Sequence, residues 1–214
     1  MATRPVFLPV CNGDKLVEER NFDFTWAPGF AEVQKKKNVK ALHEQAMQSG
    51  IVSVLEISTK SETAVGKRLS AFSLKIELNG EFHPLESVYQ GSKVFEKGGP
   101  FPEIFHLQPR DAKRFIRDED RGKLRCFKLE GETYPLSPKN AFYDWLYIKA
   151  LAKHVSWIVS NVDYEGFTDI EFNPAKQVNC QARAFAEFLS LAHRDQLTTA
   201  VSDFKYFAEW LPVI

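Results

Sequence analysis

The chain is short of cysteine and carries no excess of either charge. Three cysteines, Cys11, Cys126 and Cys180, stand far apart, with no CxxC pair and no Cys/His ligand spacing. That excludes a disulfide framework and gives no zinc signature. The five histidines (His43, His83, His106, His154, His193) are isolated as well, so each is expected to be structural or surface. No metal site and no cofactor is expected. Basic and acidic residues number 28 each, for a net charge of zero. A chain that held nucleic acid mainly by neutralising phosphates would be basic, so any contact with DNA or RNA is expected to be local.

Long apolar runs are missing too. None approaches the length that spans a bilayer, so no membrane partner is expected. The opening MATRPVFLPVCNGD lacks the apolar core of a signal peptide, and the cytoplasm is the expected compartment. There is no GxGxxG or GxxxxGK[ST] phosphate cradle, no GxSxG elbow and no HExxH. Repeats, low-complexity tracts and linkers are also lacking.

What is present is ordinary for a folded domain: 214 residues, 44% hydrophobic, with 18 phenylalanines that argue against disorder. RPVFLP reads as an edge-like strand and VEERNFDFTW as a half-buried one. A turn at APG leads to an amphipathic helix whose apolar side is Phe30, Val33, Val39, Leu42 and Ala46, stopped by Gly50. Its Lys35-Lys36-Lys37 run reads as a solvated face or a phosphate patch. IVSVLEIS is a strand, SETAVGKRLSAF a polar connection, and FSLKIEL a strand turning at Asn79-Gly80. QPRDAKRFIRDED is a helix, and LRCFKLEGETYPL a hairpin turning at Glu130-Gly131. SPKNAFYDWLYIKALAKHVSWIVSNV reads as one long helix with Ser137-Pro138 at its start and an aromatic core stripe (Phe142, Trp145, Tyr147, Trp157). DYEGFTDIEFNPAKQVNCQAR is a polar, irregular stretch, followed by helices in ARAFAEFLSLAHRD and VSDFKYFAEWL. The pattern predicts a single α+β domain, mainly helical, with small β-hairpins and an N-terminal strand-helix extension.

Two polar segments are candidates for chemistry. In PLESVYQGSKVFEKGG, read as one helix, Glu86, Gln90, Lys93 and Lys97 form a row opposite Leu85, Val88, Ser92 and Phe95. The row is either a wet face or the wall of a pocket. On one helix Glu86 and Lys93 would lie about 10 Å apart along the axis. In Gly166–Pro174, acids and amides alternate with aromatics, as a ligand wall or a hydrogen-bonded turn would have them. Arg110, Lys113, Arg114 and Arg117 offer positive charge for a diphosphate or a backbone, or a helix face paired with Asp118, Glu119 and Asp120.

The run LSAFSLKIELNGEFHPLESVYQGSKVF, followed by QPRDAKRFIR, resembles the NADAR fold of ADP-ribose-directed N-glycosidases, over roughly Val65 to Leu197. The N-terminal extension and FTDIEFNPAKQVNCQAR look like the branch that serves as antitoxin to DarT-type DNA ADP-ribosyltransferases. The resemblance implies one NADAR-like domain over 1–214: an integrated extension at 1–64, the family core at 65–197 and a C-terminal helix at 198–214. It implies removal of ADP-ribose from guanine bases in nucleic acid, with ADP-ribose and a DarT-type toxin as further partners. The family's catalytic lysine corresponds to Lys93, its helix carboxylate to Glu86 and its late acid to Asp169. Gln90 and Phe72 correspond to pocket positions, and Ser70, Tyr89, Arg110, Phe167, Glu171, Asn173, Asn179 and Gln181, from the same segments, are expected to complete the substrate-binding wall. Two positions depart from the pattern: Ala71 replaces an Asn, and Phe167-Thr168 replaces Trp-Gly.

The implied chemistry makes a demand. Guanine leaves well only if protonated as it departs, which a carboxyl of raised pKa would supply. An amine attacks the sugar carbon only when neutral, and an exposed lysine is neutral in roughly one molecule in 10³ at pH 7. Lys93 must therefore face a dry cleft. Two other readings stay open: a module that neutralises a toxin by contact alone, and an N-glycosidase for small nucleotides.

Overall fold

The computed structural model describes residues 1–212. The C-terminal segment expected at 198–214 includes two residues, 213 and 214, that lie outside the described residues. The architecture is α+β, with three small sheets among helices.

The largest sheet joins three strands from the first quarter or so of the chain to a fourth more than a hundred residues on. β1 (Ala2–Pro9) and β2 (Val17–Phe24) form an antiparallel pair. After α1 (Glu32–Gln48) comes β3 (Val54–Glu56). The fourth strand, β9 (Gly166–Thr168), lies between β1 and β3, opposing Phe7 through Phe167 and running parallel to β3. The polar stretch read as irregular therefore contains a central strand. It is three residues long, too short for alternation to show. Gly166 permits the close approach, since a Cβ there would meet the Val6 side chain at 2.7 Å.

Successive side chains of β1 face opposite ways. Val6 packs on one side with Val39, Leu42 and Ala46 of α1 and with Ile51 and Ile170. Phe7 packs on the other in the main core. The start of α1 departs from expectation: Phe30 precedes the helix and is 99% exposed, and Val33 is exposed as well. The helix docks only from Asn38 onward, where the Asn38 side chain bonds both backbone groups of Ala27.

Within SETAVGKRLSAF, a short α2 (Ala64–Arg68) appears where a bare connection was expected, capped by the Thr63 hydroxyl on Gly66 N. β4 (Lys75–Leu78) and β5 (Glu81–Pro84) form the hairpin expected at Asn79-Gly80, both residues having positive φ. α3 (Leu85–Gly91) ends early, and β6 (Lys93–Phe95) follows and pairs with β7 (Leu124–Leu129), itself paired with β8 (Glu132–Tyr134). Lys97 is therefore not on the helix with Glu86. A Cβ at Gly91 would meet the Phe101 carbonyl and the Phe105 ring, each at 2.6 Å, so the chain packs too tightly there to carry the helix on with a larger residue. α4 (Pro109–Arg117) packs against α3.

The long helical pattern divides into α5 (Ala141–Ala152) and α6 (Val155–Asn161). Asn140, not Ser137-Pro138, occupies the position before α5. Trp157 is 36% exposed rather than core. α5 and α7 (Gln181–His193) form the centre of the domain through Phe142, Trp145, Leu146, Phe185 and Phe188. The final segment is two helices, α8 (Leu197–Ser202) and α9 (Phe204–Glu209). Asp203 separates them because its carboxylate caps α9, accepting from Lys205 N and Tyr206 N.

Candidate functional site

α3 and β6 supply one wall of a cavity of about 760 Å³. Its turn of helix presents Glu86, Tyr89 and Gln90, and the first residue of β6 presents Lys93 to the same space. The lysine Nζ donates to Gln90 Oε1 at 2.7 Å and lies 4.9 Å from the centre of the Tyr89 ring. Lys93 thus reaches the pocket from a strand start rather than from a helix two turns past Glu86. The sheet bond from Lys128 N to Ser92 O and the pairing of Lys93 with Phe127 hold it there.

The groups on this wall are desolvated. Burial pushes the Lys93 amine down to about 8, with Glu86 opposing and Lys113 adding to the fall. About one amine in ten is then neutral at pH 7, against roughly one in 10³ in water. Burial raises the Glu86 carboxyl, against the opposing pull of the Tyr143 hydroxyl, Lys113 and Lys93. The Tyr143 hydroxyl donates to Glu86 Oε1 at 2.9 Å. Glu86 Oε2 accepts no bond among the described residues. Asn179 Nδ2 donates to the Tyr89 hydroxyl at 2.8 Å, tying the facing loop to this wall.

The facing wall follows β9. Asp169 Oδ1 accepts from Glu171 N at 3.0 Å and Oδ2 from Gln181 Nε2 at 3.0 Å. Gln181 Oε1 accepts in turn from Ala71 N at 2.7 Å and Ser70 Oγ at 3.2 Å. The Ser70-Ala71 turn, Asp169 and the start of α7 are therefore joined through one amide. Where an Asn was expected, Ala71 contributes its backbone N–H and is itself buried. Burial raises the Asp169 carboxyl. Behind it lies Glu56, buried and also raised by burial and by Asp169. Glu56 accepts from Ser58 Oγ, Thr168 Oγ1 and Ile170 N, while His43 Nε2 meets Thr168 Oγ1 at 2.8 Å. Three donors on one carboxyl fix the backbone on both sides of Asp169.

The expected site residues divide. The structure brings Glu86, Lys93, Asp169, Phe72, Tyr89, Gln90, Glu171, Asn179 and Gln181 to one cavity. It places Ser70 just behind, buried and bonded to Gln181. It does not bring Phe167, Asn173 or Arg110 to the lining. Phe167 is 0% exposed and packs edge-on against Phe185, because its strand is central to the sheet. Asn173 caps the turn after Asp169, accepting from Ala175 N. Of the four α4 cations only Lys113 lines the cavity; Arg114 pairs with Asp111 and Arg117 with Asp118. Glu171 sits at the rim and pairs with Lys35 of α1 at 3.4 Å, so the N-terminal segment reaches the site.

Several lining residues went unread in the sequence. Tyr143 looked like one more member of a core stripe, and Lys139 like part of a helix start. Phe127 and Phe172 give the cavity buried aromatic walls. Under the loop, Arg183 bonds Asp144 Oδ2 and donates to Val178 O at 2.8 Å, anchoring the segment that carries Asn179. An i, i+4 pairing of Arg183 with Glu187 was the available signal.

The cavity is large enough for a nucleotide, is walled by aromatics, and brings a desolvated amine together with two raised carboxyls, groups capable of amine and acid–base chemistry. A sequence model of the family described as DarT1-associated NADAR antitoxin matches residues 2–212, and the chain belongs to that family. No curated protein matches it. Membership gives the chain an antitoxin role within a toxin–antitoxin pair. Among the described residues, no helix is long and apolar enough to cross a membrane.

Proposed function

We propose that the chain is an N-glycosidase that removes ADP-ribose from guanine bases in DNA, reversing the mark of a DarT-type toxin. The observation that carries this reading is Lys93: a lysine inside a nucleotide-sized cavity, its amine brought down to about 8 by burial. The cations Lys113 and Lys139 suit a diphosphate, and the aromatic walls suit an adenine.

The reaction runs through this chain's own groups. Neutral Lys93 Nζ attacks the anomeric carbon of the ribose attached to guanine. The carbon–nitrogen bond to guanine breaks, its electron pair returns to the base, and protonated Glu86 delivers a proton there. The lysine sheds a proton as the ring opens to an imine, the ring oxygen taking one up. Water then adds to the imine carbon and free ADP-ribose leaves, restoring the amine. The net change is hydrolysis of one glycosidic bond. Asp169, fixed by Gln181 and its own loop, provides negative charge beside the electron-poor sugar.

Incubation with a guanine-ADP-ribosylated oligonucleotide should release ADP-ribose, and borohydride should trap a covalent adduct on wild type but not on Lys93→Ala. Absence of release from folded protein overturns the reading. Turnover without a trappable adduct replaces the imine by a carboxylate-only route. A Lys93→Ala/Glu86→Ala double variant that still protects cells from the toxin would favour neutralisation by contact.

A further inference from the structure

The cavity does not end at its mouth. Phe72, 58% exposed, lines both the site and a second hollow of about 330 Å³ beside the β4–β5 hairpin. That hollow shares Lys75 and Phe82 with a third, of about 300 Å³, that runs on to α5 and α6. Three exposed rings thus follow one another away from the site: Phe72, Phe82 (60% exposed) and Trp157.

The outer two rings each carry a cation. Lys153 Nζ lies 5.1 Å from the Phe82 ring centre, and Arg68 Cζ lies 4.9 Å from that of Trp157. Lys75 is exposed, and neither it nor Arg68 has an ion pair among the described residues. Lys153 also pairs with Glu77, which leaves Arg68 and Lys75 as the cations without an ion pair along the two outer hollows, against Glu81. In a chain of zero net charge, this is a local excess of positive charge laid along aromatic surface. Rings that stack bases, with cations beside them for phosphates, are what a flexible single strand needs.

We propose that this surface is a track for the single-stranded DNA flanking the modified nucleotide, entering the site past Phe72 and continuing over Phe82 to Trp157. The proposal rests on the N-glycosidase reading for its direction, but the track itself binds unmodified strand. A single strand suits it best, because the modified base must leave its stack to enter the cavity and an unpaired base does so at least cost.

Fluorescence anisotropy with an unmodified, labelled single strand of about 12 nucleotides tests it directly. Phe82→Ala/Trp157→Ala should weaken binding at least tenfold, and Lys75→Gln should lower the slope of log affinity against log salt by about 0.7. In turnover, the double variant should lose at least tenfold in kcat/KM on a modified oligonucleotide and stay within twofold of wild type on ADP-ribosyl-guanosine. No strand binding by wild type, equal binding by folded variants, or equal losses on both substrates would overturn the track. So would variants that keep the strand but lose a purified toxin, which would make the surface a protein-docking face. Failure of wild type to cleave ADP-ribosyl-guanosine would instead strike the N-glycosidase reading, while the anisotropy would still decide the track.

Discussion

The two walls of the cavity are held in opposite ways. On the α3–β6 wall, Glu86, Tyr89 and Lys93 make one side-chain hydrogen bond each, to Tyr143, Asn179 and Gln90. On the loop wall, Gln181 makes three, and the Asp169 carboxylate accepts two, with Glu56 fixing the backbone beside it. Burial moves pKa values on both walls, the Lys93 amine down to about 8 and the Asp169 and Glu56 carboxyls up to about 6 and about 8, so the walls differ in how many bonds hold each group and not in the shift. Dense bonding fixes position. The difference suggests a division of labour, with chemistry on the first wall and placement on the second. Substitutions on the first should cost activity without stability, and on the second both together.

The largest expected effect is at Lys93. Lys93→Met should lower kcat at least about 10³-fold, since it removes the proposed nucleophile. Its effect on stability should go the other way. A lysine whose folded pKa lies below its unfolded value opposes folding below about pH 8, and the penalty fades as pH rises toward the unfolded pKa. Removing it should stabilise the protein at pH 7 by about 1–2 kcal/mol, less at pH 10. Thermal melts at the two pH values check this. A variant that melts lower than wild type at pH 7 would break the contrast between the walls.

Next in size is Glu86→Gln, expected to cost about 10²-fold in kcat. Its pH profile is the sharper reading. The proposed route needs a neutral Lys93 and a protonated Glu86, so wild-type kcat/KM should rise to the raised carboxyl pKa, level off, and fall above about 8. Glutamine removes the acid requirement. The fall at high pH should vanish, and the rise should end at or below about 8, because Glu86 no longer holds the amine up. Retention of the alkaline fall would move the acid role to Asp169.

Legibility in the sequence followed the same division. Glu86, Gln90 and Lys93 could be read together because they are neighbours in the chain and the family pattern keeps their spacing. That Lys93 starts a strand could not be read, since its partners, Phe127 and Lys128, lie more than 30 residues on and pair by non-local sheet bonds. The hairpins were legible because Asn79-Gly80 and Glu130-Gly131 turn with positive φ, a local property. Phe167 was misplaced because a three-residue strand inside a polar stretch gives no periodic signal. The loop wall stayed obscure for another reason. Its order comes from Glu56, Ser70, Ala71 and Gln181, which only the fold brings together.

On that loop wall, Gln181→Leu should leave Ala71 N without its acceptor in a buried setting and Asp169 without one of its two donors. Destabilisation of about 2–3 kcal/mol is expected, visible as a lower denaturant midpoint with unchanged m-value. kcat/KM should fall about tenfold as Asp169 loses its placement. A stable Gln181→Leu with full activity would remove the distinction between the walls.

The smallest expected effect is also the finest test of the reactive wall. Tyr143 donates to the charged form of Glu86, and that bond pulls the carboxyl pKa down against burial. In Tyr143→Phe the bond is lost and nothing charged is added, so the carboxyl pKa should rise further. More Glu86 is then protonated at pH 7 while the neutral fraction of Lys93 changes little. If the proton supply is what limits turnover, kcat/KM at pH 7 should therefore increase by about two- to fivefold, and the lower break of the pH profile should move up. A tyrosine that merely orients the carboxyl would give the reverse, a slower enzyme with its break unmoved. An increase from deleting a hydrogen bond at the site would be hard to obtain unless the bond worked against the protonated acid.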